Sequence, residues 1–335
     1  MTDLLAVKDL TVDFDTYDGR VRVLHQLSFS LARGETLCIV GESGSGKSIS
    51  ALAVLGLLPK PTGHIAGGDV LLDGENLVTA SDRRMRSVRG DRISMIFQEP
   101  MTSLNPVYSV GEQISEVLRQ HRDLDRAAAW AAAVEMLRAV RIPDAERRAT
   151  DFPHQFSGGM RQRVMIAIAL ACQPEILIAD EPTTALDVTV QAQIFDLLSD
   201  LKGKNGTATI LITHDMGAVG EMADRVLVMY AGRKVEEGSA ERVLQHPAHP
   251  YTRALLECRP RLELGRLTPR QRLTEIPGIV PAPGNEGAGC PFASRCSSQF
   301  DRCLSECPPE TIVDHDHSVR CWLAVEAKSE QGALQ

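Results

Sequence analysis

Lys47 and Ser48 close the octapeptide Gly41-Glu42-Ser43-Gly44-Ser45-Gly46-Lys47-Ser48, which fits G-x-x-x-x-G-K-[ST]. The glycines let the backbone curl so that its N–H groups cradle phosphates, the lysine reaches the β- and γ-oxygens, and the serine hydroxyl ligates Mg²⁺. The flanks suit that chemistry. Leu37-Cys38-Ile39-Val40 reads as a short buried strand, and Ile49 to Leu58 as a helix that Pro59 stops. A Gly/Ser turn carrying an exposed lysine has no need of a strand before it and a helix after it. The stretch therefore implies nucleotide binding, though not what the nucleotide drives.

Further candidates stand at the ends of other apolar runs. Ile176 to Ala179 ends in Asp180-Glu181, where the first carboxylate can hold Mg²⁺ and the second can orient an attacking water. Ile93 to Phe97 ends in Gln98-Glu99-Pro100, and Ile210 to Thr213 ends in His214-Asp215. A lone strand-end histidine is ordinarily structural; in this company His214 reads as a γ-phosphate contact. Phe156-Ser157-Gly158-Gly159-Met160-Arg161-Gln162 opens a helix through Val164, Ile168 and Cys172. Backbone N–H groups at such a start form an anion site, although Ser-Gly-Gly alone is more often just a cap. Tyr17, in the turn Asp15 to Arg20, is either an adenine stacker or an ordinary half-buried loop tyrosine.

The elements that must carry these groups form an α/β architecture. Alternating residues over 4–31, and again Gly67 to Gly74, predict antiparallel strands. The strands ending at Gln98, Asp180 and His214 predict one parallel sheet whose C-terminal edge carries the ligand. Between them, from about Met101 to Arg148, the pattern turns helical: Val110 to His121, then Arg126 to Val140 with Trp130, Val134 and Leu137 at helical spacing. At 335 residues the chain is expected to hold about two domains and an appendage. With 36 Lys and Arg against 44 Asp and Glu, net −8, a general nucleic-acid-binding face is disfavoured. No apolar run approaches the ~20 residues that span a bilayer, so a membrane process would need membrane-spanning partners.

With these motifs in this order over residues 4–240, the chain resembles the nucleotide-binding subunits of ATP-binding cassette (ABC) transporters. The resemblance implies a P-loop core with an antiparallel β subdomain and an inserted helical subdomain at about 101–160. It makes Gly41 to Ser48 the Walker A loop, Gln98 the Q-loop glutamine, Ser157, Gly158 and Gly159 the signature, and Asp180 the Walker B carboxylate. Glu181 becomes the catalytic carboxylate, Ala185-Leu186-Asp187 the D-loop and His214 the switch histidine. Ser48, Gln98 and Asp180 would serve Mg²⁺. The signature reads Phe-Ser-Gly-Gly-Met where Leu-Ser-Gly-Gly-Gln is commoner.

A narrower resemblance is to the D-type ATPase of bacterial oligopeptide, dipeptide and nickel importers. It rests on Phe97 to Pro106, Phe156 to Ile166, Ala179 to Gln191, Met229 to Gly232 and His249-Pro-Tyr251. It implies a head-to-tail dimer with an F-type ATPase, two permease subunits, an extracytoplasmic solute-binding protein, and a place at the cytoplasmic face of the inner membrane. A soluble cassette ATPase serving nucleic acid or the ribosome, and an exporter subunit, are the rival readings. The former usually carries two cassettes or a long coiled coil, and this chain shows one cassette and no sustained heptads.

The tail, residues 241–335, adds a second chemistry. Arg242, Arg253, Arg259, Arg261, Arg266, Arg270 and Arg272 make a locally basic stretch, either a solvated surface or a lipid-headgroup contact. Cys38 and Cys172 read as inert buried thiols, but Cys290, Cys296, Cys303, Cys307 and Cys321 cluster. In a chain with no secretory signal such clustering favours a metal over disulfides, yet the spacing fits neither common zinc sites nor the ferredoxin run. The resemblance, carried by Gly289-Cys290-Pro-Phe and Arg295-Cys296, implies a [4Fe–4S] cluster on Cys290, Cys296, Cys303 and Cys321, with Cys307 as substitute.

Overall fold

The computed structural model describes residues 3–98, 103–183, 187–258 and 275–333. Two sheets organise them. In the smaller, β1 (Leu5–Thr16) pairs antiparallel with β2 (Gly19–Leu31) on one side and with β4 (Gly63–Leu72) on the other, and β4 carries the short β5 (Glu75–Asn76). The larger has the order β11-β12-β10-β9-β3-β8-β7-β6. Its heart is parallel: β6 (Ile93–Ile96), β7 (Ile176–Asp180), β8 (Ala208–Thr213), β3 (Thr36–Val40) and β9 (Arg225–Tyr230).

Strands β3, β7 and β8 are buried along their whole length, as parallel strands covered on both faces must be. Their side chains sort by the period of two. Leu37 and Ile39 of β3, with Ile176 and Ile178 of β7, belong to a core shared with the antiparallel sheet; Cys38, Val40, Leu177 and Ala179 belong to a core shared with the helical insertion. That insertion contains Val110–His121 and Arg126–Ala139, capped by Ser109 and Asp125 through their side-chain oxygens. The helix after the phosphate loop runs Lys47–Val54, starting two residues before the expected Ile49. It also ends earlier than expected, because Gly56 adopts φ +61° and turns the chain before Pro59 is reached.

The tail is joined to the main sheet. Beyond β9, β10 (Arg233–Ser239) runs antiparallel and pairs with β12 (His317–Val319), which in turn pairs with β11 (Thr311–Asp314). The junction is polar and buried: Glu236, 1% exposed, accepts the Ala248 amide at 2.7 Å and the His249 amide at 3.0 Å, and lies 2.7 Å from Nε2 of His317. An apolar contact accompanies it, where Phe292 packs on Tyr230 and Tyr251 at centroid separations of 5.2 and 5.3 Å. The segment 259–274, which holds five of the seven arginines of the basic stretch, lies outside the described residues.

Replacing Glu236 by leucine leaves two amides and a histidine facing hydrocarbon, and should cost about 3–5 kcal/mol. Denaturant unfolding measures this; an unchanged midpoint contradicts the junction's role.

Candidate nucleotide site

The parallel strands deliver their functional groups to one edge. Gly41 follows β3 with φ +153°, and a Cβ there would lie 2.3 Å from the Met229 carbonyl oxygen, so only glycine lets the loop leave the strand at this angle. Gly46, at φ +99°, forms the N-cap of the helix Lys47–Val54, whose first turn presents free N–H groups. Lys47 is buried, its Nζ donating to the carbonyls of Gly41 (2.8 Å) and Glu42 (3.0 Å). Burial pulls its ammonium pKa down, while Glu181, Asp180 and Glu42 oppose that shift. Ser43 and Gly44 are exposed at the loop tip, and Ser45 is buried beneath it.

Ser48 Oγ donates to Asp180 Oδ1 at 3.1 Å, so the hydroxyl in the first turn of the helix after the phosphate loop meets the carboxylate that ends β7. Burial, with Glu181 adjacent, pushes the Asp180 carboxyl above its usual range; the Ser48 hydrogen bond and Lys47 pull the other way. Glu181, in the left-handed region at φ +46°, donates its amide to the Ile212 carbonyl at 2.9 Å. Its carboxylate is held from both sides, Oε2 by Gln98 Nε2 at 2.9 Å and Oε1 by His214 Nδ1 at 3.3 Å. Gln98, Ser48, Asp180, Glu181 and His214 thus form one contiguous set, of which Gln98 touches Glu181 rather than the Asp180–Ser48 pair.

The other candidates lie elsewhere. Ser157 caps the helix Gly158–Leu170, its Oγ accepting from the Met160 amide at 3.4 Å; Ser157 and Gly158 are exposed. Gly159 packs against Val190, where a Cβ would come within 2.9 Å of its Cγ1. Asp187 is exposed and caps the helix Val188–Asn205 by accepting from the Val190 amide at 2.9 Å, while Ala185 and Leu186 fall outside the described residues. Tyr17 is fully exposed, 104% of the reference area, and so is not a half-buried loop tyrosine.

Cys290, Cys296, Cys303 and Cys321 line one cavity with His249, Phe292 and Trp322. Cys307 is exposed and not part of that lining. Burial pushes the Cys290 thiol up to about 12, with the neighbouring thiols adding to the shift. Among the described residues, no three His, Cys, Asp or Glu side chains are grouped closely enough to hold a metal ion. Cys38 and Cys172 are buried.

Two groups in contact with the phosphate loop had no role assigned from sequence. Tyr251 Oη accepts the Glu42 amide at 2.8 Å, and Arg295 grips the Glu42 carboxylate. The motifs containing them are visible in the chain, but a contact spanning more than 200 residues leaves no local signature.

The raised Asp180 carboxyl means that the folded chain holds this proton more tightly than the unfolded chain does, so ionisation near neutral pH works against folding. Asp180→Asn should therefore leave the melting temperature of the nucleotide-free protein unchanged or higher, and should abolish the rise that Mg²⁺ and ATP together produce. A lower midpoint with the Mg²⁺–ATP rise retained contradicts this.

Comparison with known proteins agrees with the geometry. Residues 24–184 match the ABC transporter family, and residues 235–303 match the oligopeptide/dipeptide transporter C-terminal region. The probable peptide ABC transporter ATP-binding protein y4tR of Sinorhizobium fredii is 52% identical over 95% of this chain and 94% of its own length. The oligopeptide transport ATP-binding protein OppD of Bacillus subtilis is 50% identical over 96% of this chain and 89% of its own. Among solved structures, the dimeric bacterial ABC transporter cassette MJ0796 superposes with a TM-score of 0.63 at 29% identity, covering 70% of this chain and 98% of that one. The same cassette in a post-hydrolysis state bound to ADP and Pi gives the same score. No helix among the described residues is long and apolar enough to cross a membrane. With the phosphate loop, its carboxylate pair and the tail all matched along nearly the whole length of such relatives, the chain belongs to the ATP-binding subunits of ABC transporters, in the oligopeptide/dipeptide branch.

Proposed function

We propose that this chain hydrolyses ATP to power the import of di- or oligopeptides, or related small solutes, through a membrane permease. The observation that carries the reading is the Glu181 carboxylate, held between Gln98 and His214 next to the Ser48–Asp180 pair. Lys47 and the loop amides of residues 41–48 neutralise the phosphates, and Ser48 and Asp180 would hold Mg²⁺, which would add positive charge against the phosphate oxygens. Gln98 reports the γ-phosphate to that set. Glu181 polarises the water for in-line attack and His214 fixes the γ-phosphate, so catalysis is mainly electrostatic positioning. Tyr17 is exposed enough to offer its ring to adenine.

The exposed Ser157 and Gly158 and the exposed Asp187 serve a neighbouring cassette: each nucleotide is enclosed by the loop of one protomer and the signature of another. Our reading of the second cassette is an F-type ATPase, with two permease subunits accepting the closing motion at the cytoplasmic face of the membrane and a solute-binding protein delivering cargo outside. The match of residues 235–303 to a peptide-transporter region supports import over export, and over a role on nucleic acid or the ribosome.

For the tail we propose a [4Fe–4S] cluster on Cys290, Cys296, Cys303 and Cys321, with Cys307 as substitute. Support comes from the four thiols sharing one cavity with no acidic side chain in its lining. The thiols would have to draw inward as thiolates to hold it.

Glu181→Gln should keep ATP binding and lower turnover at least about 100-fold; near-normal ATPase activity in the assembled transporter refutes the assignment. Protein purified anaerobically should be brown and carry about four iron atoms per chain, and colourless, iron-free protein from such a preparation removes the cluster.

A further inference from the structure

Glu42 occupies an unusual position. Its amide and carbonyl belong to the loop that cradles phosphate, yet its side chain is a carboxylate, whose charge opposes a triphosphate held nearby. The structure neutralises that charge from the tail. Arg295 Nη1 and Nη2 donate to the two Glu42 carboxylate oxygens at 2.7 and 2.9 Å, a bidentate fork. The guanidinium is held in turn: Nε donates to the Pro277 carbonyl (2.8 Å), Nη2 to the Ile276 carbonyl (3.2 Å) and Nη1 to Tyr230 Oη (3.2 Å), and its side chain is only 3% exposed. Tyr251 adds a second hold by accepting the Glu42 amide. The carbonyl of Glu42 meanwhile accepts from Lys47 Nζ. Side chain, amide and carbonyl of one loop residue are therefore all engaged, two of them by the C-terminal extension and the third by the lysine meant for phosphate.

We infer that Arg295 and Tyr251 are positioning residues for the nucleotide loop, so that the C-terminal extension sets the cassette's affinity for ATP by masking the Glu42 charge and fixing the Glu42 peptide. Neither group touches the reacting atoms; both act through Glu42. A loop already ordered before ATP arrives has less entropy to lose on binding, and a masked carboxylate does not repel the incoming phosphates. The fork, buried on its arginine side and half-buried on its glutamate side, is more informative about loop position than about stability. The inference rests on reading residues 41–48 as the ATP site.

The test measures Mg²⁺–ATP binding and steady-state ATPase kinetics on the full-length chain in its assembled transporter, with thermal melting as a check on folding. Arg295→Gln should weaken ATP binding and raise KM by roughly tenfold, with kcat at saturating ATP little changed. Glu42→Gln alone should weaken binding less. In the double variant, removing the unmasked carboxylate should recover part of the loss, so that it binds ATP more tightly than Arg295→Gln does. Unchanged affinity in a folded Arg295→Gln, or a double variant that binds ATP no more tightly than Arg295→Gln does, overturns the inference. Should Arg295→Gln fail to fold, Tyr251→Phe decides, since it removes only the hydroxyl: a rise in KM at constant kcat supports the inference and an unchanged KM overturns it. Lys47→Ala separates the two readings. Normal ATP binding by Lys47→Ala sinks the nucleotide site itself, whereas lost binding there with normal Arg295→Gln sinks only the role of the tail.

Discussion

The hydrogen-bonded register of the parallel strands is the constraint on which the site depends. β3 sits between β8 and β9, with Val40 beside Thr213 and Val228, while Asp180 on β7 stands beside Ile212. Because parallel neighbours rise together, the residues just past each strand's end arrive at one height: Gly41 from β3, Glu181 from β7, His214 from β8 and, one strand further, Gln98 after β6. A slip of one residue in any ladder would turn every side chain to the other face and move its functional group off this line. The two apolar cores on opposite faces forbid that slip, since Leu37 and Ile39 fit one and Cys38 and Val40 the other.

Much of this was legible in the chain. Short β-branched runs that end in chemistry-bearing residues are a strong signal, because a parallel strand buried on both faces has no other use for a terminal Asp-Glu or Gln. The helical insertion was legible from the spacing of Trp130, Val134 and Leu137. The tail was less so. Its strands β11 and β12 are four and three residues long, and β11 is mostly exposed, so no alternation develops. The pairing of β12 with β10 brings Glu236 to His317 across 81 residues, which a local window does not register. The grip of Arg295 on Glu42, across 253 residues, escaped for the same reason.

Burial sorts the sequence candidates into two kinds. Lys47 and Asp180 lie inside, where desolvation makes their charges costly and a charged ligand welcome. Ser157, Gly158 and Asp187 lie outside, where their backbone and carboxylate groups face solvent. The interior candidates follow strand ends, and the exterior ones sit at helix starts whose caps hold the local geometry without a ligand.

The tail hairpin has a further consequence. β12 pairs with β10 along Glu236 and Glu237, with the Arg320 amide donating to the Val235 carbonyl at 2.8 Å, and so covers the flank of β10. A strand with bare N–H and C=O groups along its side templates pairing with other chains. Cutting the protein back to its cassette would therefore move the sheet's open edge from the four-residue β11 to the seven-residue β10, a longer template for self-association.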